Sequence, residues 1–160
     1  MSQPQSTYGR FFQLGYVTRD IEHGIADVKR RMGAQQIDLI DDVRDAEGAE
    51  TPLLRLAHLV LPGVEVELIQ PRLDRDSIYL DMLPPEGDPT AKLHHLAFAV
   101  PDEAAWEAAV ADFAVMDTPI ALEFRTPRIW CAYFDTRCET GHYSELVLRF
   151  FPEDERLWRT

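Results

Sequence analysis

Cysteine is scarce in this chain of 160 residues. Cys131 and Cys138 are the two present, six residues intervene between them, and that spacing suits neither a disulfide framework nor a zinc knuckle. Both are expected to be reduced thiols in or beside a strand. Long hydrophobic runs are also missing: none approaches the roughly 18 residues that a membrane span needs. The opening "MSQPQSTYGR" has no charged stretch followed by an apolar one, so a secretory signal is not expected. The expectation is a cytoplasmic protein with no membrane partner. Basic residues are in deficit, with 16 Lys and Arg against 28 Asp and Glu and a formal charge of −12. Such a surface repels phosphate backbones, which excludes nucleic acid as a natural partner.

What is present is a composition, 46% hydrophobic and 28% charged, that suits a single compact domain over residues 1–160. It is also a repeat. "FQLGYVTRD" holds Gln13 and ends at Asp20, and "HHLAFAVPD" holds His95 and ends at Asp102, so the two pairs have the same separation. In each copy an apolar strand runs from a side chain with a lone pair to an aspartate suited to cap a helix. Glu67 in "VEVELIQP" and Glu145 in "YSELVLRF" close the two halves in the same way. The period is too long for a solenoid and marks a duplicated supersecondary module, each copy of which leaves an apolar sheet face to be covered. Four candidate ligands follow: Gln13, Glu67, His95 and Glu145, with the cleft between the copies as the expected site.

The coarse order of elements repeats as well. A strand at 11–18 leads to a helix capped by Asp20, with Ile21, Ile25, Val28 and Met32 on one face and a stop at Gly33. "QQIDLID" alternates as a half-buried strand, residues 42–52 read as a polar loop, and "LLRLAHLVL" and "VEVELIQP" form a hairpin about Pro62 and Gly63. Residues 72–91, rich in proline around "SIYLDML", read as a crossover with one or two helical turns. The second half gives a strand at 93–100, a helix from Asp102 with Trp106, Val110 and Phe113 on one face, and strands near 120–124, 128–135 and 143–150. The fold class is therefore α+β, with a first βαβββ module at 11–71, a crossover at 72–91 and a second module at 92–151.

The segments "LHHLAFAVPD", "ELIQP" followed by "SIYLDML", and "GHYSELV", in this order, resemble the vicinal oxygen chelate superfamily over Phe11 to Phe150. That superfamily includes glyoxalase I, methylmalonyl-CoA epimerase, extradiol dioxygenases and bleomycin-resistance proteins. The resemblance implies two tandem modules forming a cup-shaped curved sheet, metal ligands on the first and last strands of each, and a homodimer. Gln13, Glu67, His95 and Glu145 match the four ligand positions, and the set is similar to that of the glyoxalase I type. The middle of the chain is closer to methylmalonyl-CoA epimerase.

Residue chemistry agrees with a metal centre. An amide oxygen, an imidazole and two carboxylates suit a divalent ion such as Zn, Ni, Co, Mn or Fe, and nothing soft is present to select copper(I). Such an ion stabilises the enolate formed when a proton α to a carbonyl is removed, and Glu145 is the expected catalytic base. Taken singly, a histidine on an apolar strand is usually a satisfied core residue, and a glutamate in a strand usually faces water. The repeat is what sets these four apart. His58, Trp130, Tyr133 and Tyr143 are candidates for the substrate pocket. His94, opposite in alternation to His95, suits support or core packing.

The expected function is a glyoxalase-like isomerase or lyase acting on a small molecule that chelates the metal through two oxygens. Val17 stands where glutathione-dependent glyoxalase I carries an arginine, and Pro71 where it carries an asparagine, so a glutathione adduct is not the expected substrate. Ala57 falls where the epimerase has a further glutamate. The alternatives are a metal-free binding or resistance protein of the same fold and an Fe(II) extradiol-type dioxygenase.

Overall fold

The computed structural model describes residues 8–152. The amino-terminal stretch up to Thr7, which includes most of "MSQPQSTYGR", and the charged tail from Glu153 lie outside the described residues. Eight strands and three helices are present among the described residues; apart from one short helix before the last strand they follow the order βαβββ twice, and the fold class is α+β. They form two compact units. One comprises residues 12–95, the other residues 8–11 with 96–152.

The first unit holds β1 (Arg10–Val17, from its third residue), α1 (Ile21–Met32), β2 (Gln35–Asp41), β3 (Leu53–Leu61), β4 (Val64–Pro71) and the opening residues of β5 (Lys92–Val100). Its strands lie in the order β2-β3-β4-β1. β3 runs antiparallel to both neighbours, while β1 runs parallel to β4 because α1 returns the chain across the sheet. The helix begins where Asp20 accepts a hydrogen bond from the His23 amide at 3.0 Å. It stops at Gly33, whose left-handed backbone (φ 67°) an L side chain rarely adopts. Ile21, Ile25 and Val28 pack on Ala57, Leu59, Val66 and Leu68. Burying each such aliphatic side chain contributes about 1.5–3 kcal/mol. Met32, on the expected apolar face, is exposed.

The crossover 72–91 packs within this first unit. Arg19 Nε donates to the Pro84 carbonyl at 2.6 Å, and the turn at 77–83 is closed by i to i+3 bonds such as Leu80 N to Ser77 O. The compact unit therefore runs on through the crossover and into β5.

The second unit continues β5 and adds α2 (Glu103–Val115), β6 (Ile120–Arg125), β7 (Ile129–Phe134), α3 (Arg137–Thr140) and β8 (Tyr143–Arg149). Its strands lie in the order β5-β8-β7-β6. Asp102 caps α2 by accepting from Ala105 N at 2.8 Å. Trp106, Ala109 and Phe113 pack on Ala132, Phe134, Leu146 and Leu148, with Phe113 stacked on Phe134 at 3.7 Å between centroids. The one-turn helix α3 has too short an apolar pattern to be visible in the sequence. Among the described residues no helix is long and apolar enough to cross a membrane.

Candidate functional site

In the first unit, alternation sorts the side chains of β2, β3 and β4 into two sets. Leu39, Ala57, Leu59, Val66 and Leu68 face α1, so Asp38, His58, Glu65 and Glu67 face the other way. Strand register then aligns them. Asp38 is the cross-strand partner of His58, His58 of Glu67, and Glu67 of Gly15, a row across four strands.

His58 is the pivot of the row. Its Nδ1 lies 2.9 Å from Asp38 Oδ1 and its Nε2 3.3 Å from Glu67 Oε1. Both partners are carboxylates and accept, so both ring nitrogens donate and the ring is an imidazolium. Burial opposes that charge, but the hydrogen bonds to Asp38 and Glu67 outweigh it, and the His58 pKa is pushed up to about 10. Burial likewise raises the Glu67 pKa, and His58 and His95 more than reverse this, so the carboxyl is held well below the usual range.

Glu67 divides its oxygens. Oε1 takes His58, and Oε2 lies 3.4 Å from His95 Nε2. His95 is fully buried and reaches Glu67 over Gly15, where a side-chain carbon would clash with the imidazole Cε1. The other edge of the ring is oriented by His94. His94 Nε2 donates to the Ile78 carbonyl at 3.1 Å, which leaves its Nδ1 as an acceptor for His95 Nδ1–H at 3.0 Å. With Nδ1–H held by His94, Nε2 is the ring nitrogen that meets Glu67: protonated, it donates to Oε2; deprotonated, its lone pair and the carboxylate oxygen are placed to share a cation.

One rung along the same face, Gln13 is buried and its Nε2 donates to Glu65 Oε1 at 2.6 Å. Gln13 and Glu65 are cross-strand partners just as Gly15 and Glu67 are. That bond uses an N–H of the amide and leaves its carbonyl oxygen an acceptor. The donor set available here, an amide oxygen, Glu67 Oε2 and His95 Nε2, is hard to borderline in character and suits a divalent ion. Among the described residues no three His, Cys, Asp or Glu side chains are grouped as a metal site.

The remaining candidates lie in the second unit. Glu145 is buried on β8, opposite Tyr133 in register, and shares its face with Tyr143. The Arg137 guanidinium stands over the Tyr143 ring at 4.6 Å. Trp130 is half-buried on β7. It alternates with Tyr133 onto the helix-facing side, where it meets Trp106 edge-on at 5.8 Å and carries Arg125 over its ring at 4.3 Å. Sequence reasoning passed over Asp38, Glu65, Gly15 and the link from His94 to His95. Asp38 in "QQIDLID" reads as a solvent-facing strand residue, and only the register with His58 shows its partner.

The comparisons with known proteins bear on this fold. The sequence model of the Glyoxalase/Bleomycin resistance protein/Dioxygenase superfamily matches residues 12–129. A comparison with curated protein sequences finds none that matches. Among solved structures, a methylmalonyl-CoA epimerase from Mycobacterium tuberculosis is similar with a TM-score of 0.65 at 19% identity, covering 95% of this chain and 94% of that one. A Streptomyces coelicolor methylmalonyl-CoA epimerase in complex with 2-nitronate-propionyl-CoA gives 0.63 at 18% identity, covering 90% and 99%. A hypothetical protein from Bacillus halodurans gives 0.65 at 14% identity, covering 91% and 98%. These likenesses concern the fold, whereas the sequence match spans most of the chain and takes in both the Gln13, Glu67 and His95 strands and α2. On that match the chain belongs to the glyoxalase/bleomycin resistance protein/dioxygenase superfamily.

Proposed function

We propose that the protein is a divalent-metal-dependent isomerase or lyase that removes a proton α to a carbonyl of a small, oxygen-chelating substrate not linked to glutathione. The observation that carries this reading is the orientation of His95: its Nε2 faces Glu67 Oε2 while His94 and Ile78 hold the other side of the ring. A metal-bound imidazole characteristically donates its second N–H to such a partner. Gln13, Glu67 and His95 would hold the ion, and Glu145 joins them through its repeat position, equivalent to that of Glu67.

A bound divalent ion supplies Lewis acidity to the substrate's oxygens. The chain's own part is to move the proton. The Glu145 carboxylate accepts the α-hydrogen as H⁺, the C–H electron pair stays on the substrate as an enolate, and return of the proton to carbon completes the isomerisation. His58 keeps Glu67 ionised and pinned, so that Glu67 orients rather than titrates. The similar epimerases, one of them bound to methylmalonyl-CoA, support a CoA thioester or another apolar oxygenated metabolite as the substrate class. The reading retains a small-molecule partner, a homodimer and a cytoplasmic place.

The test is metal analysis together with α-hydrogen exchange. Protein offered Ni, Zn, Co, Mn and Fe in turn is expected to retain about one ion per chain and to wash deuterium from D₂O into an acyl-CoA substrate. Substoichiometric metal with every ion would remove the basis of the proposal. The methylglyoxal–glutathione adduct is expected to turn over weakly, and a catalytic efficiency near the roughly 10⁵ M⁻¹s⁻¹ of ordinary enzymes would refute that substrate assignment.

A second reading, a metal-free binding protein, draws support from one observation. The His58 imidazolium already neutralises part of the acidic row, and Gln13 is already bonded to Glu65. Ligand binding that chelator leaves untouched, with no turnover, would favour it. The extradiol dioxygenase reading has no such support, and oxygen uptake with a catechol and Fe²⁺ would be needed to raise it.

A further inference from the structure

The first unit contains a cavity of about 330 Å³ at the ends of β1, β3 and β4, walled by Leu54, Pro71, Leu73 and Leu83. Its polar members include Thr18 and Gln70. Gln70 lies on the helix side of β4, since its Oε1 accepts from the Ile21 amide at the start of α1. Thr18 also faces α1, with its methyl group at the Gly24 position. Glu67 stands on the opposite face, so the cavity is separate from the polar row of Asp38, His58, Glu67 and Gly15.

Two features of this cavity point to a ligand. The first is its apolar wall, where packing among the described residues leaves Leu73 64% exposed. The second is Arg19. Its Nε is fixed by the Pro84 carbonyl at 2.6 Å, which sets the plane of the guanidinium, and among the described residues no carboxylate pairs with its terminal nitrogens. In a chain of net charge −12 this stands out, for nearby arginines are taken. Arg55 binds Glu22 and Asp41, Arg72 binds Asp42 and the Thr51 carbonyl, and Arg75 binds Glu50. Asp74, the acidic residue of the lining, is mostly in solvent and lies 3.7 Å from Arg75.

We infer that this cavity is a second ligand site, taking a small molecule with an apolar body and an oxyanion head that Arg19 receives through its two terminal nitrogens. A guanidinium held by Nε presents those nitrogens as a fork matched to a carboxylate or a phosphate, and the two heads share this chemistry. The volume, equal to that of roughly ten waters at ~30 Å³ each, matches a body of about eight carbons and lies at the small end of ligand pockets. The inference does not rest on the metal-dependent reading, because no residue is shared.

Calorimetric titration of the full chain in the presence of chelator, with octanoate, octyl phosphate and octanol as probes, tests it. At least one anion is expected to saturate the protein and to bind at least tenfold more tightly than octanol. Whichever anion binds better names the head group. Arg19→Gln is expected to weaken that anion at least tenfold without changing octanol. Leu73→Asp, at an exposed position that leaves the fold intact, is expected to weaken the anion by charge repulsion and octanol by loss of apolar wall. Equal binding of octanol and both anions, unchanged anion binding in Arg19→Gln, or no saturation by any probe would each overturn the inference.

Discussion

Gly15 and His95 share one volume: the imidazole of His95 occupies the space that a side chain at position 15 would fill. Gly15 is also the cross-strand partner of Glu67, so the missing side chain is what lets His95 reach the Glu67 carboxylate.

Gly15→Ala is therefore expected to displace His95 and to lower stability by about 1–3 kcal/mol, the usual cost of overpacking a core. Adding His95→Ala should recover most of that loss, because the two changes are coupled through one contact. Denaturant unfolding of the two single variants and the double variant measures this. Wild-type stability for Gly15→Ala alone would refute this coupling.

His58→Leu removes the cation between Asp38 and Glu67. Two partly buried carboxylates are then left facing one another's field, and breaking such a pair costs roughly 3–5 kcal/mol. The unfolding midpoint at neutral pH should drop accordingly, and replacing Asp38 by Asn in the same chain should restore part of it. A neutral result for His58→Leu would mean that the row contributes nothing to folding.

His94→Phe keeps a ring of similar size but removes the acceptor for His95 Nδ1–H. If His95 binds a divalent ion, losing this support should weaken the affinity about 10- to 100-fold. Competition with a chromophoric chelator reads the change directly. Unaltered affinity would detach His94 from the site.

Glu145→Gln and His95→Ala separate holding the ion from moving the proton. The amide still donates an oxygen, so Glu145→Gln should keep much of the metal while losing most of the α-hydrogen exchange. His95→Ala should lose the metal itself. Equal metal loss in both variants would end the dual role of Glu145 while leaving ligation in place.

Much of this was written locally along the chain. The apolar spacing of Ile21, Ile25 and Val28, the capping aspartates Asp20 and Asp102 and the turn at Gly63 fix where helices and strands begin and end, because each acts over a few residues. The duplicated order of elements, and with it the fold class and the prominence of Gln13, Glu67, His95 and Glu145, follows from comparing one half with the other. What the sequence could not determine is which polar side chains meet. Asp38 and His58 are twenty residues apart, and His58 and Glu67 come together only through the registers of β2 with β3 and β3 with β4. His94 and His95 alternate along the strand, yet their rings touch because the Ile78 carbonyl in the crossover holds His94 by its far nitrogen. The packing of Trp130 against the α2 cluster is likewise set by the pairing of β7 with β8. Periodicity tells which face a residue takes, but contact between faces and across strands depends on register and on loops returning from afar, and those are properties of the folded chain alone.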